Sequence, residues 1–302
     1  MATCLSQLYH EHKRGIRAGY AKYETFPIWN LPLSHPVNLA YEAATADLND
    51  VNMIDPYHLE AYGETTVNYN RDVEIFPVLK AIFMQIYGDC PYQSPTDMGV
   101  NMAGKCIVDD EVCRKASCQE IIRRYYHTLV NIARGKAKEE EAYKIELLMN
   151  KAGVTTKDRK VVEAALRRAE ETGHTAAALE LPDGRVITGK TSELMGACSA
   201  LLIKALKVLA DIDRDVLLIT PNVIMPIQKL KVNYLGSRNP RLHMEEVLIA
   251  LSASSESNEV ADLALRQLPH LRGSQVHTSR MLSDTDEKTF QKLGVMLTSE
   301  PR

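Results

Sequence analysis

The sequence lacks several features that would place it in a class of protein at once. It has no run of about 18 uncharged apolar residues, the length that a membrane-spanning helix needs. It also has no basic excess, because 36 Lys and Arg stand against 39 Asp and Glu, for a net charge of −3. Since a basic surface is needed to neutralise phosphates, we expect neither nucleic acid nor a membrane as partner.

Cysteine is scarce, with six residues in 302. Cys106, Cys113 and Cys118 form the only cluster, and their gaps differ from the C-x-x-C spacing of structural zinc sites. We therefore predict reduced thiols and no bound metal. The N-terminal residues have no apolar segment of a secretory signal, because His10 and residues 12–14 interrupt it, so we expect a cytoplasmic protein.

Common catalytic motifs are absent as well. The sequence contains no G-x-G-x-x-G, P-loop, G-x-S-x-G, H-E-x-x-H or EF-hand pattern. With 45% hydrophobic and 25% charged residues it has the ordinary balance of a globular protein, which excludes disorder over the whole chain. These patterns leave open whether the protein is an enzyme.

Apolar periodicity predicts an α/β protein. Residues 3–13 have helical spacing, and residues 20–26 are rich in side chains typical of strands. A helix that leads into a strand is half of a strand–helix–strand unit, so we expect the first strand upstream of Met1. We interpret residues 1–110 as a truncated Rossmann-like or P-loop-like remnant of a nucleotide-binding domain.

The remaining chain divides into a helical part and an α/β part. Residues 111–173 carry successive helical stripes and predict a helical middle subdomain. Residues 174–302 predict a layered α/β domain with a hairpin that turns at Pro182–Gly184, then a helix and a buried strand at Val216–Thr220. This order resembles the zinc deaminase core, but Cys198 alone could serve as a ligand, so we expect deaminase-like topology without zinc ligands.

The polar segment from Leu31 to about Phe76 looks irregular, and long loops inside a compact domain are usually functional or disordered. Its tyrosines favour order, and hence function. Within it, Asp55 followed by proline has the pattern of a helix N-cap, which favours a structural role. Arg71 among acids suits recognition of a planar oxyanion, or forms a surface ion-pair network. His58 is either a site residue or a satisfied histidine.

Residues 94–104 form a second polar loop, whose amides could hold an anion or make an ordinary turn. Together the two loops offer carboxylates, amides, histidines and an arginine, the groups needed for acid–base work or for binding a phosphorylated ligand. We predict His35 and His58 as acid–base candidates, and a ligand-binding cleft lined by Lys22, Glu24, Asn70, Arg71, Asp72, Asp97 and Asn101.

Five stretches of the sequence are specific enough to indicate a family: Met1–His12, Tyr23–Asn30, His35–Asp47, Ser94–Asn101 and Leu268–Gly273. They resemble the bacterial domain-of-unknown-function 1846 family (DUF1846, UPF0371). The likeness covers essentially the whole chain, which is similar to the C-terminal three-fifths of longer members.

The resemblance implies that a domain with a Gly-Pro-Gly-Ser-Gly-Lys loop precedes Met1 and is lacking here. That loop resembles a phosphate cradle but departs from a Walker A loop, because Met1 stands where Ser or Thr would bind Mg²⁺. The activity of the family is not established. The resemblance therefore implies an architecture and a phosphorylated ligand such as ATP in the full-length protein, and no particular reaction.

Two classes of function remain open. The first is a nucleotide- or phosphate-ligand-dependent enzyme, with the ligand between the preceding loop and residues 20–104. The second is a non-catalytic ligand-sensing or assembly protein that forms a homo-oligomer. Turnover of nucleotide, against binding without turnover, separates them. We also expect exposed apolar surface at Leu5, Leu8 and Tyr20, where an upstream sheet would pack.

Overall fold

The computed structural model describes residues 2–21, 27–99 and 101–302. Within these ranges it contains twelve α-helices and six β-strands, which confirms the α/β class. The helices are α1 Ala2–Lys13, α2 Pro36–Ala44, α3 Pro56–Tyr62, α4 Asn70–Tyr87, α5 Asp110–Ala133, α6 Glu139–Ala152, α7 Lys160–Thr172, α8 Ala197–Leu209, α9 Pro221–Lys229, α10 Met244–Ser255, α11 Glu259–Leu265 and α12 Asp284–Lys292. The strands are β1 Asn52–Ile54, β2 Val67–Tyr69, β3 Ala176–Glu180, β4 Val186–Lys190, β5 Gln275–Thr278 and β6 Met296–Ser299.

The chain forms two compact units. Unit 1 comprises residues 1–125 and 138–154, and unit 2 comprises residues 126–137 and 155–302. None of the described helices combines the length and the apolar character required to cross a bilayer. The division into parts 1–110, 111–173 and 174–302 stays a prediction.

Unit 1 has an apolar core between α1 and α4. Leu8 and Tyr20 are 4% and 8% exposed and pack with Phe76, Phe83 and neighbouring side chains. The hydroxyl of Tyr87 donates to the carbonyl of Ala18 at 3.1 Å and ties α4 to the segment after α1. The prediction of exposed apolar surface at Leu8 and Tyr20 is therefore wrong, because residues of unit 1 itself cover them.

The segment from 31 to 76 is less irregular than predicted, because besides the helix α3 that Asp55 caps it forms α2, β1, β2 and the start of α4. These elements are short, and buried polar side chains hold them together by hydrogen bonds to the main chain of neighbouring segments. Asn38 is fully buried; its Oδ1 accepts from the amide of Ile28 at 2.8 Å, and its carbonyl accepts from Nδ2 of Asn52 at 2.8 Å. Of the strand predicted over residues 20–26, residues 22–26 lie outside the described residues.

Unit 2 is built on a four-stranded sheet in the order β4-β3-β5-β6. Strand β3 is antiparallel to both β4 and β5, whereas β5 and β6 are parallel and joined through α12. The hairpin predicted at Pro182–Gly184 is confirmed, and Gly184 adopts φ 87°, as such a turn requires. Successive residues of β3 face opposite sides. Ala178 packs against α7, and Ala177 belongs to the large core that contains α8.

The predicted strand at Val216–Thr220 is wrong. These residues form bends that lead into α9, where Thr220 is the N-cap and Pro221 occupies the first helical position. Leu218 and Ile219 are buried in the core of unit 2, whereas Leu217 is 60% exposed. The apolar run therefore serves core packing, and apolar character alone does not distinguish such a run from a buried strand.

Candidate functional site

A cluster of buried polar side chains surrounds the start of α3 in unit 1. Asp55 is fully buried, and its Oδ1 atom accepts from the amides of Tyr57 and His58 at 3.0 and 3.2 Å. Its Oδ2 atom accepts from the amide and the hydroxyl of Thr96. Asp55 thus caps α3, as its sequence pattern predicts, and also fixes the turn that contains Thr96.

His58 and Asp97, both predicted as site residues, come together in this cluster. Nδ1 of His58 lies 2.9 Å from Oγ of Ser94 and 3.6 Å from Oδ1 of Asp97. Asp97 also accepts from the hydroxyl of Tyr62 at 3.0 Å, and this hydrogen bond raises the pKa of Tyr62. Ser94 is completely buried, and its hydroxyl accepts from the amide of Asp97.

The composition Ser94, His58 and Asp97 is that of a catalytic triad, but the geometry differs. In a triad, the serine and the carboxylate contact different nitrogen atoms of the imidazole. Here both contact Nδ1, and the serine is buried as a cap of the turn at 95–98. These contacts hold the turn against α3. A ligand role for His58 and Asp97 stays a prediction.

Asn70 and Arg71 form a second group, at the other end of strand β1. The Nε and Nη2 atoms of Arg71 lie 2.6 and 2.7 Å from the two carboxylate oxygens of Asp50. The carboxylate is buried, whereas the Arg71 side chain is 61% exposed. Oδ1 of Asn70 accepts from the amide of Val51 at 3.0 Å. Asp72 follows in the first turn of α4. These bonds fasten α4 to the strand.

His35 belongs to a third group. It is the N-cap of α2, where its Nδ1 atom accepts from the amide of Val37, and its Nε2 atom lies 2.9 Å from Oδ1 of Asp110. Hydrogen bonds from Arg114 and then from His35 lower the pKa of Asp110. Asn101, another predicted site residue, makes a local contact, in which its Oδ1 atom accepts from the amide of Ala103.

The predicted site residues therefore lie in separate groups: His58 with Asp97, Asn70 with Arg71, and His35 with Asp110. Lys22 and Glu24 lie outside the described residues. Among the described residues, no group of three or more His, Cys, Asp or Glu side chains is placed to hold a metal ion.

A small cavity of about 120 Å³ lies beside the Arg71 group in unit 1, and Asp50 and Lys144 belong to its lining. Ligand pockets usually enclose about 300–1,000 Å³, so this cavity is too small for one. Burial raises the pKa of Glu42, which also lines it.

A larger cavity of about 490 Å³ lies in unit 2, where α7 ends and where β5 and β6 end. Ser279 and Arg280 directly follow β5, and Ser279 is fixed by a hydrogen bond from the amide of Ala176 to its hydroxyl at 3.0 Å. The lining contains Glu170, Gly173, His174, Ser279, Arg280 and Arg302.

Two arginine side chains line this cavity against the single carboxylate side chain of Glu170. Arg280, Arg302 and His174 are all exposed at its surface. Among the described residues, none of the three has a carboxylate within 4.0 Å. In open α/β sheets, ligands bind at the carboxyl ends of parallel strands. By this rule, the position of Arg280 just after β5 marks it as a candidate ligand-binding residue. Sequence reasoning missed it because applying the rule requires knowing that β5 and β6 are parallel.

The two units and their strand order define a mixed α/β protein with a polar cluster in one unit and a cationic cavity in the other. Residues 1–153 match the family model described as "Domain of unknown function DUF1846, N-terminal", and residues 157–302 match the corresponding C-terminal model. The chain belongs to the DUF1846 family, as its motifs indicated. The expectation that the family's N-terminal domain is lacking is not confirmed, because residues 1–153 match its model.

The curated relatives carry the name UPF0371 protein. The chain is 59% identical over 302 residues to the protein from Corynebacterium urealyticum, and 58% identical over 301 residues to those from Streptococcus thermophilus and Streptococcus pneumoniae. Each match covers 100% of this chain and 61% of the relative. The chain therefore spans about three-fifths of the length of these relatives.

Proposed function

We propose that this protein binds a small phosphate-bearing ligand in the 490 Å³ cavity of unit 2. The observation that carries the proposal is that Arg280, Arg302 and His174 line this cavity and, among the described residues, none of them has a carboxylate within 4.0 Å, although Glu300 acts on Arg302 at longer range. A guanidinium presents a planar set of donors that matches a phosphate group in two parallel hydrogen bonds. An unpaired arginine at a cavity wall is therefore available to an anionic ligand, unlike Arg71, which already holds Asp50.

The size and the position of the cavity support the same proposal. Its volume lies within the range of small-molecule sites. It also lies at the carboxyl ends of β5 and β6, the usual location of ligands in α/β sheets.

The proposal has two forms, an enzyme and a non-catalytic protein. Both bind the ligand, and they differ in whether the ligand is converted. An enzyme needs a group that transfers a proton, and imidazole is the side chain best suited to do so near neutral pH. His174 supplies such a group in the lining. The alternative form, a ligand-sensing or assembly protein, binds the same ligand without converting it.

Titration calorimetry with inorganic phosphate, glucose 6-phosphate and ATP tests the proposal. We expect at least one of them to bind, and Arg280→Ala to weaken that binding by about 1.5–3 kcal/mol, the contribution of a hydrogen bond to a charged group. Arg266→Ala is the matched control, because its guanidinium is exposed and pairs with Asp262 away from the cavity lining. Release of phosphate or ADP during the titration would identify an enzyme.

Two outcomes contradict the proposal. The first is that none of the three ligands binds. The second is that Arg280→Ala binds as tightly as the unaltered protein. If binding is then lost in Arg71→Ala, the ligand belongs to the sequence-predicted cleft of unit 1.

Finer features of the fold and the cellular setting belong to the same proposal. We infer that residues 1–110 are a remnant of a Rossmann-like or P-loop-like domain and that residues 174–302 have deaminase-like topology. The strand order β4-β3-β5-β6, with β3 antiparallel to both of its neighbours, supports the second inference. We also propose a cytoplasmic homo-oligomer, which light scattering on the eluting protein tests directly.

A further inference from the structure

We infer that the ligand of the unit 2 cavity carries an amine in addition to its phosphate, an inference that rests on the proposed phosphate site. Glu170 lines the same cavity as Arg280 and Arg302. Its carboxylate has no cationic side chain within 4.0 Å among the described residues. The cavity therefore holds charges of both signs that form no ion pair with one another.

The main chain adds to the negative side of the cavity. Helix α7 ends at Thr172, and Gly173, its C-cap, adopts the left-handed conformation at φ 65°. The last carbonyls of a helix carry a partial negative charge that favours a cation. Glu170 and Gly173 both belong to the lining, and they lie within one turn of each other at the end of α7.

A ligand with phosphate alone would satisfy only one part of this cavity. It would neutralise the arginines but bring a second negative charge towards Glu170 and the end of α7. It would also leave that carboxylate less hydrated and without a partner, which costs free energy. A ligand with both a phosphate and a protonated amine gives each charge a partner. The separated charges thus point to a zwitterionic phosphate ester.

Matched pairs of ligands test this inference by calorimetry. Glucosamine 6-phosphate differs from glucose 6-phosphate by one amino group in place of a hydroxyl, and phosphoethanolamine differs from ethyl phosphate by its amine. We expect the amine-bearing member of at least one pair to bind about 10-fold more tightly, as a charge-assisted hydrogen bond provides. Glu170→Gln should reduce that ratio to less than about 2-fold and leave the amine-free ligand unaffected or bound more tightly.

Glu163→Gln is the control, because Glu163 is also an exposed residue of α7 but does not line the cavity. It should leave the ratio unchanged. If both members of each pair bind equally, or if Glu170→Gln keeps the preference, the inference of an amine is wrong while the phosphate site stands. If no member of either pair binds, and phosphate and ATP also fail to bind, the proposed function itself is wrong.

Discussion

Nε2 of His277 lies 3.3 Å from Oε1 of Glu300, and the histidine is completely buried. Its Nδ1 atom lies 2.9 Å from the hydroxyl oxygen of Thr298, the residue opposite it on β6. Burial lowers the pKa of His277, and the hydrogen bond to His277 lowers the pKa of Glu300. The hydroxyl of Thr298 donates to the carbonyl of Val276 at 3.1 Å, so His277 contacts a buried polar network.

These two shifts predict that the protein loses stability in acid. Both groups bind protons less readily in the folded than in the unfolded chain, so the free energy of unfolding falls as the pH decreases. The fall begins near the ordinary pKa of histidine, 6.5, and continues through that of glutamate, 4.5. We expect the urea midpoint to decrease between about pH 7 and 5, and His277→Gln to reduce this dependence.

His243 provides a control of opposite sign. A hydrogen bond to Asp286 raises the pKa of His243, so its contribution to stability is present at low pH and is lost as the pH rises. His243→Gln should therefore make the loss of stability in acid steeper. A pH dependence that neither substitution alters would show that other groups determine it.

The buried guanidinium of Arg159 predicts that its replacement by lysine, which keeps the charge, lowers the stability of the protein. Arg159 is 1% exposed, and its guanidinium donates to the carbonyls of Val276 and Met296 at 3.1 and 2.7 Å and to the hydroxyl of Thr298 at 3.0 Å. A lysine ammonium cannot reproduce this planar set of donors. Arg159→Lys should lower the free energy of unfolding by about 1.5–3 kcal/mol.

The measurement is urea unfolding followed by circular dichroism. Arg167→Lys is the control, because the Arg167 side chain is 67% exposed. It should change the free energy by less than about 0.5 kcal/mol. Equal midpoints for the two variants would contradict the structural role of Arg159.

Asp55 predicts that one cap stabilises two segments. Its two oxygens accept from the first turn of α3 and from Thr96, so Asp55→Ala removes a cap and leaves Thr96 without its partner. We expect a loss of about 2–4 kcal/mol in thermal or urea unfolding. Ser283→Ala, which removes the exposed cap of α12, should cost about 1 kcal/mol. A comparable loss in both variants would mean that the contacts to Thr96 contribute little.

Gly189 predicts intolerance of a single methyl group. A Cβ atom there would lie 2.5 Å from the amide nitrogen of Leu201 and 2.7 Å from the carbonyl oxygen of Ala197, because α8 crosses β4 at this residue. Main-chain atoms cannot give way as a side chain does, so we expect Gly189→Ala to cost about 1–3 kcal/mol. Gly196→Ala, with its nearest atom at 3.8 Å, avoids this clash and should cost less than about 1 kcal/mol, the preference for glycine over alanine at the N-cap of α8. Thermal unfolding of both variants decides the matter, and a tolerated Gly189→Ala would contradict this packing.

The sequence predicts best where one residue determines local geometry. Asp55 before proline marks the start of α3, and Gly88 and Gly173 mark the ends of α4 and α7 in the left-handed conformation. These signals are strictly local. They do not depend on what packs against the helix, so they hold without knowledge of the tertiary structure.

Other features depend on partners that the sequence does not display. Strands β1 and β2 have three residues each, and polar Asn52 and Asn68 within them hide the strand pattern. For the apolar residues 216–220 the prediction fails in the opposite way. They resemble a strand in sequence, but they form bends in which only two side chains are deeply buried. The cationic cavity arises where the chain brings Arg280 next to His174, residues far apart in sequence. Only the tertiary fold places them together.

The position of β3 has a consequence for how unit 2 opens. Its amides and carbonyls bond to strands on both sides, and its alanines lie between α7 and α8 with no exposed surface. No local fluctuation frees this strand, since either neighbouring strand and both helices would have to leave together. The amides of residues 176–179 should therefore exchange with deuterium more slowly than those of the edge strand β4, and at the rate set by complete unfolding of the unit.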